Sequence, residues 1–249
     1  MEITSVNNEL VKETVKLQQK KYRTQTGKFL LEGYKPIKEA SDFGIKIEKI
    51  FVDKSKVGQY SFTKAQVIET TQSVLKKLAT TDSAPEAVAV AEQKIYDKSI
   101  LSKSEKVVLL EDIKDLGNLG TIVRTSVAFG VDAIVLFGES VDIYNPKSVR
   151  SSVGNLWKIP IIHILDFQEL LVIFKNFEKI ATLPHTNNIL KEYKPKYPVL
   201  IMFGSEANGL SEDLINFADS AVKIEISDNV ESLNLAVSVA VVLYSFYKT

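Results

Sequence analysis

Val199-Leu200-Ile201-Met202-Phe203 is an unbroken apolar run that ends abruptly at Gly204. It is strand-length and does not alternate with polar residues, so both of its faces want cover. A strand inside a sheet with helices on either side meets that demand. The stop is a turn-forming cluster, Gly204-Ser205-Glu206-Ala207-Asn208-Gly209, with a carboxylate in its middle. Ser211 is placed to cap a short helix whose first turn carries Glu212 and Asp213, where the helix dipole favours negative charge. A second apolar segment, Ala221 to Ile226, leads into the polar stretch Ser227 to Asn234, and Leu235 to Tyr244 reads as a final helix. Strand, polar loop, strand, polar loop, helix is how an α/β protein builds a ligand cleft at its strand ends.

The same alternation runs upstream. Strands are expected at Val107 to Leu110, Ala133 to Phe137, Ile159 to Ile164 and Ile180 to Leu183, with a helix carrying Arg124 and another at Phe167 to Phe174. This spacing predicts a mostly parallel, doubly covered sheet. Before it, residues 5–22 read as one helix with an apolar stripe of Leu10, Val11, Val15 and Leu17. Shorter elements follow: strands at Phe29 to Gly33, Ile45 to Val52, Ala65 to Ile68 and Glu86 to Glu92, and helices at Tyr34 to Ser41 and Thr71 to Leu78. They predict a separate small α/β sandwich. Polar sequence near residue 100 divides the chain into domains of residues 1–98 and 105–249.

Composition removes several kinds of chemistry. With no cysteine there is no disulfide, thiolate nucleophile or thiolate metal site, and His163 and His185 are the only histidines. No metal is therefore expected. No apolar run reaches the roughly 18 to 20 residues needed to span a bilayer, and the start lacks signal-peptide order, so a cytoplasmic protein without membrane contact is expected. G-x-G-x-x-G and G-x-x-x-x-G-K-[ST] are both missing, which argues against a dinucleotide fold and a phosphate loop. Net charge is zero, but residues 1–100 carry 17 Lys and Arg against 13 Asp and Glu, and residues 101–249 carry 14 against 18. Lys12, Lys16, Lys20, Lys21, Arg23 and Lys28 concentrate the early excess, a pattern that suits phosphate neutralisation or a solvated helix face.

Three polar clusters carry a resemblance. Asn118, Arg124 and Gly130 have the spacing of one motif; Gly204, Glu206, Asn208 and Gly209 form a second; Ser232-Leu233-Asn234, before the last helix, is the third. In order and spacing the chain resembles the SpoU/TrmH family of SPOUT RNA 2′-O-ribose methyltransferases over residues 105–249. The segment from Gln25 to Ala40 is similar to the substrate-binding domain attached to many members, itself like the kink-turn-binding ribosomal proteins.

The resemblance implies a C-terminal α/β knot, a deep trefoil, beside a small ribosomal-protein-like α/β domain. It implies S-adenosylmethionine lined by backbone groups at Leu183, Gly204, Ile224 and Leu233, a homodimer with sites completed across its interface, and ribosomal RNA as substrate ahead of transfer RNA. Arg124, Asn118, Glu206, Ser232 and Asn234 become the catalytic candidates. Asn118 and Asn234 would orient the nucleotide and the Arg, Glu206 would hold the Arg or a motif loop, and Ser232 would contact substrate or cofactor. Arg124 would act either as base or as clamp on the target phosphate and stabiliser of the 2′-oxyanion; a guanidinium has no acceptor atom, which favours the second role. Two other readings stay open on the residues: an RNA-binding assembly factor without activity, and an unrelated nucleotide-using α/β enzyme.

Overall fold

A computed structural model describes residues Glu2–Tyr247. The chain divides into two compact units: the first runs through Lys94 and takes in Asp142–Trp157, and the second holds Ile95–Val141 and the described chain from Lys158 onward.

The first unit is built on β1 (Glu2–Ile3), β2 (Lys28–Glu32), β3 (Ile47–Asp53), β4 (Gln66–Thr70) and β5 (Ala87–Glu92), in the order β1-β4-β3-β5-β2. The β1, β4 and β3 strands are mutually parallel, while β5 runs antiparallel to both β3 and β2. Its helices are α1 (Glu9–Lys16), α2 (Lys20–Thr26), α3 (Tyr34–Asp42) and α4 (Gln72–Leu78). Val11 and Leu17 meet Val74, Leu75 and Leu78 of α4 over Phe51, Ile68 and Val88 of the sheet, which makes one core layer.

The single helix expected over residues 5–22 is instead two. Asn8 caps α1 through its side chain, and the chain turns at Leu17 to Gln19 before α2 begins. Tertiary contact explains the break: the Gln18 side-chain amide donates to the carbonyls of Lys77, Leu78 and Ala79 at 3.0–3.2 Å, closing the open end of α4. The basic run is largely consumed inside the unit. Lys12 pairs with Glu9, Lys16 with Glu13 and Lys28 with Glu48, which leaves Lys20 and Lys21 without an acidic partner among the described residues.

Arg23 is 1% exposed and forms an ion pair with Asp142 at 2.7 Å, while also donating to the Leu17 carbonyl at 2.9 Å. This pair anchors the inserted segment Asp142–Trp157. The segment contains α6 (Pro146–Ser151), capped by Asn145 with Pro146 in its first turn. Tyr144 lies 4.7 Å from Phe29, ring to ring, and Arg150 reaches Glu32 at 3.3 Å. Asp142→Ala leaves the guanidinium buried without its counter-ion, and a loss of about 3–5 kcal/mol is expected. The check is the urea unfolding midpoint, with Arg23→Met/Asp142→Leu expected to recover most of the loss.

The second unit contains β6 (Lys106–Glu111), β7 (Ala133–Phe137), β8 (Ile161–Ile164), β9 (Glu178–Thr182), β10 (Val199–Phe203) and β11 (Ser220–Val222), all paired in parallel in the order β11-β9-β10-β6-β7-β8. Its helices are α5 (Leu116–Ala128), α7 (Phe167–Ile173), α8 (Glu212–Phe217) and α9 (Leu235–Ser245). The apolar run Val199–Phe203 is β10, between β9 and β6 with all five residues buried. From β6 the sheet grows outward through β7 and β8 and then reverses to the other side. The reversal falls between β6 and β10, where open α/β sheets form crevices beyond the carboxyl ends of their strands. β11 is shorter than the segment to Ile226 suggested, because Lys223 bonds instead with Asn188 and Leu190 at 2.9–3.0 Å and the chain then turns away.

Candidate active site

The three polar clusters converge at this end of the sheet. Asp115 caps α5 by accepting the Asn118 amide at 2.7 Å, which fixes the first turn of the helix just past β6. After β10, Ser205 and Gly209 exchange backbone hydrogen bonds at 2.9 and 3.2 Å, closing a tight loop with Glu206 on its rim. Asn234 caps α9, its side-chain oxygen accepting the amides of Ala236 and Val237.

These elements are joined by one directed chain of side-chain hydrogen bonds. The Asn234 oxygen is committed to the helix amides, so its nitrogen faces outward and donates to Asn118 Oδ1 at 3.1 Å. That fixes the Asn118 amide in turn, and Asn118 Nδ2 donates to Glu206 Oε1. A carboxylate only accepts, so the polarity of the relay runs one way from α9 to Glu206.

Arg124 and Ser232 stand apart from this relay. On α5 the buried side carries Leu119, Gly120, Ile122, Val123 and Ser126, whereas Thr121, Arg124 and Ala128 are exposed. Among the described residues, no side chain hydrogen-bonds or ion-pairs with Arg124, and Glu206 is turned to Asn118. Ser232 is exposed as well, two residues before the α9 cap. Of the other four candidates, three follow adjacent strands and one precedes α9. Leu183 directly follows β9 and Gly204 follows β10; Ile224 lies two residues past β11, and Leu233 precedes Asn234. All four are partly buried, and the Leu183 amide donates to Val222 at 3.0 Å.

Two supporting carboxylates escaped the sequence reading. Asp115 is the cap that orients Asn118. Glu111, buried at the end of β6, accepts the Ser211 amide at 2.7 Å and ties that strand to the start of α8. An acidic residue closing the apolar run Val107 to Leu110 was the available signal. Among the described residues no group of three or more His, Cys, Asp or Glu is arranged to hold a metal ion, and no helix is long and apolar enough to cross a membrane.

An all-parallel α/β sheet whose order reverses between β6 and β10 is the fold of the SPOUT methyltransferases, and here the three motif loops meet at that reversal through one amide-carboxylate relay. Residues 105–244 match the SpoU rRNA Methylase family, and the chain belongs to that family. Residues 8–89 match the MRM3-like substrate binding domain. An uncharacterized tRNA/rRNA methyltransferase of Synechocystis is 34% identical, over 97% of this chain and 92% of its own. The 23S rRNA (guanosine(2553)-2′-O)-methyltransferase RlmP of Bacillus subtilis is 28% identical over 98% of each chain. Among solved structures, the AdoMet-bound rRNA methyltransferase from Sinorhizobium meliloti superposes with a TM-score of 0.89 at 29% identity, covering 98% of this chain and 96% of that one.

Proposed function

We propose that the protein transfers a methyl group from S-adenosylmethionine to a ribose 2′-hydroxyl of ribosomal RNA. The observation that carries this reading is the relay from Asn234 through Asn118 to Glu206, which joins all three motifs into one rigid polar group beside the crevice. The S. meliloti relative binds AdoMet, and the B. subtilis relative is named for 2′-O-methylation of 23S rRNA.

The residues at the strand ends suit the cofactor. Leu183, Ile224 and Leu233 offer partly buried apolar walls for an adenine, with backbone groups to read its edge, and Gly204 lets the loop after β10 close beside them. When bound, the cofactor supplies an electrophilic methyl carbon. The protein's own part is to align the 2′-oxygen behind that carbon and to ease loss of its proton. Arg124 is exposed and unpaired among the described residues, so its guanidinium is open to a phosphate and to the charge that grows on the 2′-oxygen. It offers no lone pair, so its contribution is electrostatic and the proton leaves to water. Asn118 and Asn234 hold the nucleotide's surroundings in a fixed orientation, Glu206 terminates the relay, and Ser232 is available to substrate or cofactor.

The first domain would grip the RNA while the second does the chemistry. The second would also carry the family's deep trefoil knot, a reading supported by strand order, since β10 is inserted between β9 and β6 while β11 pairs on the far side of β9. The active form would be a homodimer acting in the cytoplasm. Val237, Val241 and Tyr244 line one side of α9 at 47%, 37% and 71% exposure, an apolar stripe that a second copy would cover. Because Tyr244 and Tyr247 pack on Phe129 at the end of α5, that stripe borders the helix bearing Arg124. Val241→Glu is expected to shift the sedimentation coefficient from dimer to monomer and to lower activity with it. A monomeric wild-type protein at micromolar concentration would refute the dimer.

The test of the function is transfer of labelled methyl to separate pools of ribosomal and transfer RNA. Label in ribosomal RNA that survives alkaline hydrolysis as a resistant dinucleotide is the expected result. Label confined to transfer RNA would replace the substrate, and no label despite measurable cofactor binding would leave an RNA-binding factor.

A further inference from the structure

The first unit contains an aromatic cluster that its core does not fully absorb. Tyr34 opens α3 directly after Gly33, while Tyr60 and Phe62 lie at the end of the 3₁₀ turn Lys54–Tyr60 that follows β3. The ring centroids are 5.6 Å apart for Tyr34 and Tyr60, 5.9 Å for Tyr34 and Phe62, and 6.0 Å for Tyr60 and Phe62. Rings that served only the core would all be buried. Tyr60 is, but Tyr34 and Phe62 keep part of their surface in solvent.

Two further features mark the cluster. The Tyr60 hydroxyl is buried and has no hydrogen-bond partner among the described residues. Burial also pushes its pKa up, so it remains a donor with nothing to donate to, an arrangement that costs stability. One cation sits at the cluster, and two more adjoin it in sequence. Lys38 Nζ lies 5.3 Å from the Phe62 ring centre while also pairing with Asp42, and Lys35 and Lys64 are exposed without an acidic partner among the described residues. One carboxylate is close by: Glu86 accepts the Tyr34 amide at 3.2 Å, which disfavours a phosphate at that point but suits the amino group of a base.

We propose that Tyr34 and Phe62 form a stacking platform for an unpaired base of the RNA substrate, with the buried Tyr60 ring packed against both and Lys35 and Lys64, beside them in sequence, meeting the flanking phosphates. Every base has a π-face and RNA is read chiefly through unpaired bases stacked on aromatic rings, which is the chemistry this cluster offers. The choice of RNA as ligand rests on the function proposed above.

The experiment is fluorescence anisotropy with the full chain and two labelled probes, an RNA hairpin with an unpaired loop and a blunt duplex of the same length. Tyr34→Leu and Phe62→Leu are each expected to weaken hairpin binding about ten-fold or more, with duplex binding changed by less than about two-fold. Phe62→Trp, which keeps a stacking face, is expected to hold wild-type affinity and so separates lost stacking from lost folding. Tyr60→Phe keeps the ring and removes an orphan donor, so it is expected to hold hairpin affinity while leaving the thermal midpoint unchanged or higher. Hairpin affinity unchanged in the Leu variants, or hairpin and duplex affinities falling together, overturns the platform. Wild-type protein that transfers no methyl group yet shows these hairpin losses would sink the enzymatic reading and support the platform.

Discussion

Arg124→Ala is expected to slow methyl transfer by a factor of about 10²–10³ at saturating RNA, the range found when one preorganised oxyanion donor is removed. The argument rests on where the side chain lies. Arg124 is on the exposed side of α5 and holds no partner among the described residues, so its loss breaks no internal contact. Stability should therefore move by no more than about 0.5 kcal/mol, as for ordinary surface substitutions. Cofactor affinity should also hold, because the residues assigned to the cofactor lie past the ends of β9, β10 and β11 and just before α9, and none is on α5. The check is single-turnover transfer beside calorimetric titration of S-adenosylmethionine. Near wild-type turnover in the variant would remove Arg124 from the chemistry. Arg124→Lys separates charge from shape: a lysine keeps the cation but loses the planar fork that grips a phosphate in two places, so an intermediate rate is expected.

Gly204→Ala is expected to abolish cofactor binding and to lower the melting temperature. A Cβ at Gly204 would fall 1.9 Å from the Gly209 carbonyl carbon and 2.1 Å from the Leu210 nitrogen, and both obstacles are backbone. The loop has no room to yield, since Ser205 and Gly209 are bonded to each other and Leu210 is buried against the core. Opening it would displace Glu206 and cut the relay to Asn118. Gly209→Ala supplies the contrast. Its φ is +67° but a Cβ there meets nothing within 4 Å, so only the left-handed backbone cost of about 1–2 kcal/mol is expected. Differential scanning calorimetry with and without S-adenosylmethionine reads both variants. Equal effects at the two glycines would show that close approach is not what Gly204 provides.

Much of the second unit is legible in the sequence, for a local reason. Its strands are buried on both faces, so Val199 to Phe203 and Ala133 to Phe137 stand out as unbroken apolar runs ended by Gly204 and Gly138. Ser211 before Glu212 is likewise a capping signal that depends only on its neighbours, and that cap forms. The motif spacing brought Asn118, Glu206 and Asn234 forward as a group.

What the sequence could not carry depends on contacts between distant residues. The break between α1 and α2 follows from Gln18 reaching the end of α4, a partner about sixty positions away. Arg23 reads as one more surface cation until Asp142, 119 residues on, buries it. Local pattern thus determined the α/β class, the strand positions and the residue types of the site. Tertiary structure alone decided that Glu206 accepts from Asn118 while Arg124 is left open, because a side chain's partner is set by which strand ends the sheet order makes neighbours, and that order is invisible to local periodicity.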